Sequence, residues 1–308
     1  MAEQVGYSLN IGTNVLAVIN QDLATNLNQL VAAYDGDGEP SFVGMLDGKP
    51  AINITTPDMK LALGSVAGMS GGNINLAATN TLVAAAYTLA DGGSRTEGAT
   101  HTTWTIEEGF MVPTRWRASA DPNTIATVDY TIHVLSLLDT EPITTSIVAA
   151  LADELTGGEV FILGPTYIDE VAFPKVTEVE GDPGLQVHLQ TDSGRRWARN
   201  AFITAVLPSI SLRGYFAEQL DDANLGLTGK KLTTSAVIWL RQLEERARPY
   251  ADDEEKHIKM TMTNVNTHVA TIGGTHPNPL LTEIILQPKK PASGISIAVA
   301  VDQAITAE

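Results

Sequence analysis

Gly68-Met-Ser70-Gly-Gly72 spells the G-x-S-x-G pattern of a serine nucleophile. That chemistry needs a sharp strand-to-helix turn, which lifts the hydroxyl above a parallel sheet toward a base and an oxyanion hole. The residues that follow, Asn-Ile-Asn-Leu-Ala-Ala, form no amphipathic helix, and no strand–helix–strand alternation surrounds them. The pattern reads as a flexible Gly/Ser loop, so hydrolysis through Ser70 stands behind two structural readings given below. Asp35-Gly-Asp37-Gly-Glu39 begins like a calcium loop, in which alternate oxygens surround a hard cation. Its sixth position is Pro40 where such a loop needs glycine, and its twelfth is Leu46 where it needs glutamate, so it reads as a solvated turn. Asp252-Asp-Glu-Glu255 reads as a water-exposed, self-repelling tip.

The histidines, His101, His133, His188, His257, His268 and His276, show no spacing that places two on one face for a metal. The chain has no cysteine, hence no thiolate nucleophile, no disulfide and no Cys-based zinc site. The expectation is a protein with no catalytic residue, no cofactor and no metal site.

Trp104, Trp116, Trp197 and Trp239 are scattered and do not interleave with bases as a nucleic-acid stacking platform would. Arg195-Arg196-Trp197-Ala-Arg199 is a basic-aromatic cluster, and in a chain of net charge −17 it is expected to meet acids across an interface. The 36 acidic residues against 19 basic ones argue against a phosphate-gripping surface. The first half, residues 1–154, carries 17 acids and 5 bases, so any strongly acidic face draws mostly on it. Charged residues make up only 18% of the chain, leaving a surface of Thr, Asn, Ser and Gln that loses little solvation when covered by a neighbour.

The elements that would position these residues are strands. PAINIT, HTTWTI, VDYTIHV, GLQVHLQ, PSISLR and HIKMTM alternate with β-branched or aromatic side chains, as half-buried antiparallel strands do. Short helices are expected at Asp58 to Leu63 and Tyr215 to Leu220, while Leu232 to Arg248 suits a strand at SAVIWL and a helix at RQLEERAR.

Segments also recur in order in the two halves. Pro50-Ala-Ile52-Asn-Ile54 matches Pro208-Ser-Ile210-Ser-Leu212 at an offset of 158, and His101-Thr-Thr-Trp104 matches His257-Ile-Lys-Met260 at 156. Tyr130-Thr-Ile132-His-Val134 sits near Glu283-Ile-Ile285-Leu-Gln287, and Ile143 to Val148 resembles Ile295 to Val299, which takes the offset down to 152. Order kept through loop-sized drifts favours an internal duplication, with domains at 1–154 and 155–308. His101 and His257 then read as equivalent structural residues at strand starts.

ADGGSRTEGATHTTWTIEEGFMVPTRWRAS, Ala90 to Ser119, resembles a segment of phage major tail (tail-tube) proteins, and Val206 to Leu240 resembles the matching part of the second half. The resemblance implies a mainly β fold of two tandem tail-tube-like antiparallel β-sandwich or barrel domains, each with a short flanking helix. It implies self-association into trimeric rings of pseudo-sixfold symmetry, stacked into a tube with other tail proteins. DNA would pass through the lumen without specific binding. The expected location is the virion, after synthesis in the host bacterial cytoplasm, with no membrane role. A capsid shell or decoration protein is the alternative, sharing the low charge and polar surface.

Overall fold

The computed structural model describes residues 3–11, 14–24, 26–32, 42–63, 74–87, 100–136, 138, 140–148, 159–192, 195–226, 228–244, 248–275, 277, 279–289 and 296–306. The protein is mainly β, 63% strand, with antiparallel sheets and two short helices among the described residues. The Gly68–Gly72 pattern, the Asp35–Glu39 turn and the expected boundary between residues 154 and 155 lie outside the described residues. Among the described residues no helix is long and apolar enough to cross a membrane.

In the first half the strands are β1 (Glu3–Ile11), β2 (Asn14–Ala17), β3 (Asn20–Ala24), β4 (Leu27–Ala32), β5 (Phe42–Gly48), β6 (Ala51–Thr56), β7 (Ile74–Tyr87), β8 (His101–Ser119), β9 (Thr127–Leu135) and β10 (Ile143–Val148). The second half has β11 (Val160–Ile168), β12 (Val171–Ala172), β13 (Val176–Asp182), β14 (Leu185–Gln190), β15 (Asn200–Val206), β16 (Ser209–Gly214), β17 (Lys230–Lys231), β18 (Ser235–Leu243), β19 (His257–Thr263), β20 (Val265–Gly273), β21 (Leu281–Pro288) and β22 (Ile297–Gln303). Helix α1 (Met59–Leu61) follows β6, and α2 (Gln219–Asp222) follows β16.

Every described pairing in the first half has a counterpart in the second. β1 pairs β2 and β7; β11 pairs β12 and β18. β6 lies between β3 and β9; β16 lies between β13 and β21. The β4–β5 hairpin matches β14–β15. The long β8 pairs β7, β9 and β10, and its role is divided in the second half between β19, which pairs β18 and β22, and β20, which pairs β17 and β21. The division falls at Asn264, whose φ of 58° turns the chain in the left-handed region that asparagine tolerates. Because β7 and β8 run unbroken, the first half's sheets stay joined, whereas β12-β11-β18-β19-β22 stands as a separate five-stranded sheet.

The register agrees in detail. Ile52 faces Ile132 and Ile54 faces Tyr130; Ile210 faces Leu286 and Leu212 faces Ile284. β8 has a register shift between Pro113 and Arg115, and β20 has one between Val269 and Thr271, at the same offset of 156. The register corrects the sequence matches near the chain's end. Tyr130 corresponds to Ile284, not Glu283, an offset of 154, and Ile143, which faces Ile106, corresponds to Ile297, which faces Met262. A slip of one residue exchanges the faces of a strand. Burial confirms the corrected phase, since Tyr130, Ile132, Ile284 and Leu286 are buried while Gln287 is exposed.

RQL of the ambiguous segment continues strand β18 to Leu243. Inward-facing side chains of both sheets, such as Ile210, Leu286, Ile238 and Met260, meet in one core, which continues without a break into Ile52, Tyr130, Ile132 and Trp116 of the first half.

Candidate assembly interface

Two equivalent sets of strands must meet somewhere, and they meet edge to edge. The last residues of β8 pair antiparallel with β13: Ser119 faces Glu178, Ala118 faces Val179, Arg117 faces Glu180 and Trp116 faces Gly181. The ladder extends to the Ala120 N–H, which donates to the Thr177 carbonyl at 2.9 Å. Period-two alternation sends Trp116, Ala118 and Val179 into the core and turns Arg117 outward.

Gly181 is required by its neighbour. A Cβ at that position would fall inside the Trp116 indole, which is fully buried. On the outer face Arg115 reaches Asp129 at 3.0 Å and Glu180 at 3.7 Å, and Arg213 lies 3.9 Å from Glu178. These pairs are half exposed and add little to stability. Their placement helps fix the register.

A second contact clasps the first. The β14–β15 hairpin lays Leu185, Val187, Leu189, Ala201 and Ile203 over Phe110, Val112 and Leu135 of β8 and β9. The chain between its strands continues the grip: the Gly48 N–H donates to the Arg196 carbonyl at 2.7 Å, and the Ser136 N–H donates to the Ala198 carbonyl at 2.9 Å. Trp197 is buried here with the Arg196 guanidinium 4.7 Å over its ring. The basic-aromatic cluster therefore lies between the halves, although the acid that Arg199 meets, Asp192 at 2.8 Å, belongs to its own hairpin.

One acid recurs in both halves with its cation on opposite sides. Asp129 on β9 accepts from Thr55 of β6 at 2.6 Å and pairs with Arg115 of β8. The counterpart Glu283 on β21 pairs with Arg213 of β16 at 3.3 Å, accepts from Ser211 at 2.7 Å and is reached by Thr271 of β20 at 3.4 Å. Arg213 holds the place of Thr55, and Thr271 that of Arg115. The Ser211 hydroxyl holds the Glu283 carboxyl below its ordinary range, partial burial opposes this, and the Arg213 charge reinforces it. Asp169, at the turn between β11 and β12, is pushed up by burial, but the Thr234 N–H, Lys230 and Thr233 outweigh that and hold it low.

His101 and His257 are both buried. His257 is a strut: its Nδ1 accepts from the Gln242 N–H at 3.2 Å, which leaves Nε2–H to donate to the Ala251 carbonyl at 2.9 Å. Asp252 of the acidic run is held by Arg241 at 2.7 Å. No group of three or more His, Asp or Glu among the described residues could hold a metal ion. No protein-family model matches the chain, and no curated protein does either.

Proposed function

We propose that the chain is a phage virion structural protein that builds the tail tube: two tandem tube-like β domains from an internal duplication, assembled as trimeric rings of pseudo-sixfold symmetry and stacked into a conduit for DNA. The supporting observation is that the two halves share one set of strand pairings yet meet through unlike surfaces, the end of β8 on one and the edge of β13 on the other. A contact between unlike surfaces of equivalent units is heterologous, and repetition of such a contact closes a ring or extends a filament. Composition agrees. A net charge of −17 suits a lumen along which phosphates slide without being held. The low charge fraction suits surfaces that are covered on assembly.

Electron microscopy of the purified protein tests this reading. Rings with a central bore and threefold or pseudo-sixfold symmetry, stacking into tubes, are expected. Spherical shells would transfer the assignment to a capsid or decoration component, and a stable monomer at all concentrations would overturn it.

A further inference from the structure

The contact between the halves is used once inside the chain, and both of its surfaces exist twice. On the first half, the counterpart of the β13 edge is β3, whose only described partner is β6. On the second half, the counterpart of the end of β8 is the end of β20, whose only described partner there is β21. Among the described residues both edges are bare. Ile272 is 42% exposed where its counterpart Trp116 is fully buried, and Leu23 is 44% exposed where its counterpart Gly181 is buried. An uncovered edge strand is a template for another strand, and each of these two carries an exposed apolar side chain.

From these edges we infer that β3 of one copy adds to the end of β20 of a second copy, antiparallel, in the register of the internal contact. Ile272 then faces Leu23, Gly273 faces Asp22, Gly274 faces Gln21 and Thr275 faces Asn20. This rests on the ring reading above and deepens it by naming the joining strands.

The side chains support this pairing. The internal contact sets the largest side chain against none, Trp116 over Gly181; the external one sets two of middle size together, Ile272 and Leu23. A mixed pairing of Trp116 with Leu23 would put the leucine where the indole must lie. Along the β3 edge lies a cavity of about 220 Å³, lined by Gln21, Asp22, Leu23, Ile52 and Trp104. Nothing lies within 4 Å of where a Cβ on Gly273 would point, so a side chain introduced there has room, whereas one at Gly274 would press on Pro279 and Leu280. The apolar clasp is not repeated in kind, since the counterparts of Phe110 and Val112 on β20 are Asn266 and His268, which line a recess of about 370 Å³.

Cysteine pairing tests the register, and the chain's lack of cysteine removes any background. The Ala120–Thr177 hydrogen bond makes Arg117 and Glu180 a non-hydrogen-bonded pair. Gly273 and Asp22 inherit that geometry, with Cα atoms about 4.5 Å apart, inside the disulfide range. Full-length Asp22→Cys and Gly273→Cys proteins, mixed and mildly oxidised, are expected to give a covalent dimer. Neither single variant alone should do so, nor should the Asp22→Cys and Thr275→Cys mixture. The doubly substituted chain is expected to give a ladder of covalent multimers. A Leu23→Asp, Ile272→Asp protein should keep its far-UV circular dichroism while losing assembly at least tenfold in concentration. Rings seen by microscopy without the cross-link overturn this contact and leave the tube reading standing. The cross-link without rings upholds the contact and sinks the tube. Neither cross-link nor assembly removes both.

Discussion

Replacing Gly181 by Leu and Trp116 by Ile transplants into the chain the pair found at positions 23 and 272. Trp116 is fully buried, and an aromatic ring of its kind removes about 150–250 Å² from water, worth about 4–6 kcal/mol at about 25 cal/mol per Å². Isoleucine keeps more than half of this, so Trp116→Ile alone should cost about 2 kcal/mol. A leucine at 181 must place its first carbon within the indole, and since neither strand can retreat without breaking the β8–β13 ladder, Gly181→Leu should cost about 3 kcal/mol or more. In the double variant the leucine occupies the volume the indole leaves, and the cost should return to about 2 kcal/mol. The coupling energy is therefore about 3 kcal/mol, at the upper end for residues in contact. Urea unfolding of the unassembled chain, followed by far-UV circular dichroism, measures it from midpoints at constant slope. Additive losses, or a Gly181→Leu protein as stable as its parent, would refute the steric account of this contact.

Tyr130→Phe removes a buried hydroxyl that donates to the Ala62 carbonyl at 3.0 Å, and should lower stability by about 1–2 kcal/mol by leaving that carbonyl unpaired, read as a lower urea midpoint. Ile203→Asp places a charge under the β14–β15 hairpin where it covers Phe110 and Val112, and should release the hairpin without unfolding the sheets, read as new proteolytic cleavage confined to residues 185–206. Glu283 and Asp169 both titrate below their ordinary values of 4.5 and 3.8 in the folded chain. Their contribution is fully present above those values and is lost as pH falls through the folded ones. Glu283→Gln should therefore lower stability near neutrality and flatten its decline in acid, and an unchanged acid limb would show that Glu283 does not contribute to it.

The repeat was legible wherever alternation was clean. Pro50 to Ile54 and Pro208 to Leu212 align to the residue because Ile52, Ile54, Ile210 and Leu212 alternate with small polar residues. Glu283-Ile-Ile285-Leu-Gln287 hides its phase, since three apolar residues in a row look the same from either face, and only the pairing with β16 shows which two point inward. The helical look of RQL in RQLEERAR reflects propensity alone, which the β11 and β19 neighbours on either side of β18 override. The contact between the halves carried no local signal. Trp116 and Gly181 are 65 positions apart, and a lone glycine in a strand does not name the ring that lies over it. What could have pointed to them is their mismatch with Ile272 and Leu23, visible only once the halves are aligned strand by strand.

Having β8 and β13 on one polypeptide also changes how such an object comes apart. Their union forms as the chain folds, at the millimolar effective concentration typical of tethered partners, so dilution cannot undo it. In the proposed ring of three chains, half of the seams would be of this permanent kind, and closure would scale with the third power of protein concentration where six separate pieces would need the sixth. Partial disassembly of that ring would shed whole pairs, and a gap one unit wide would never arise.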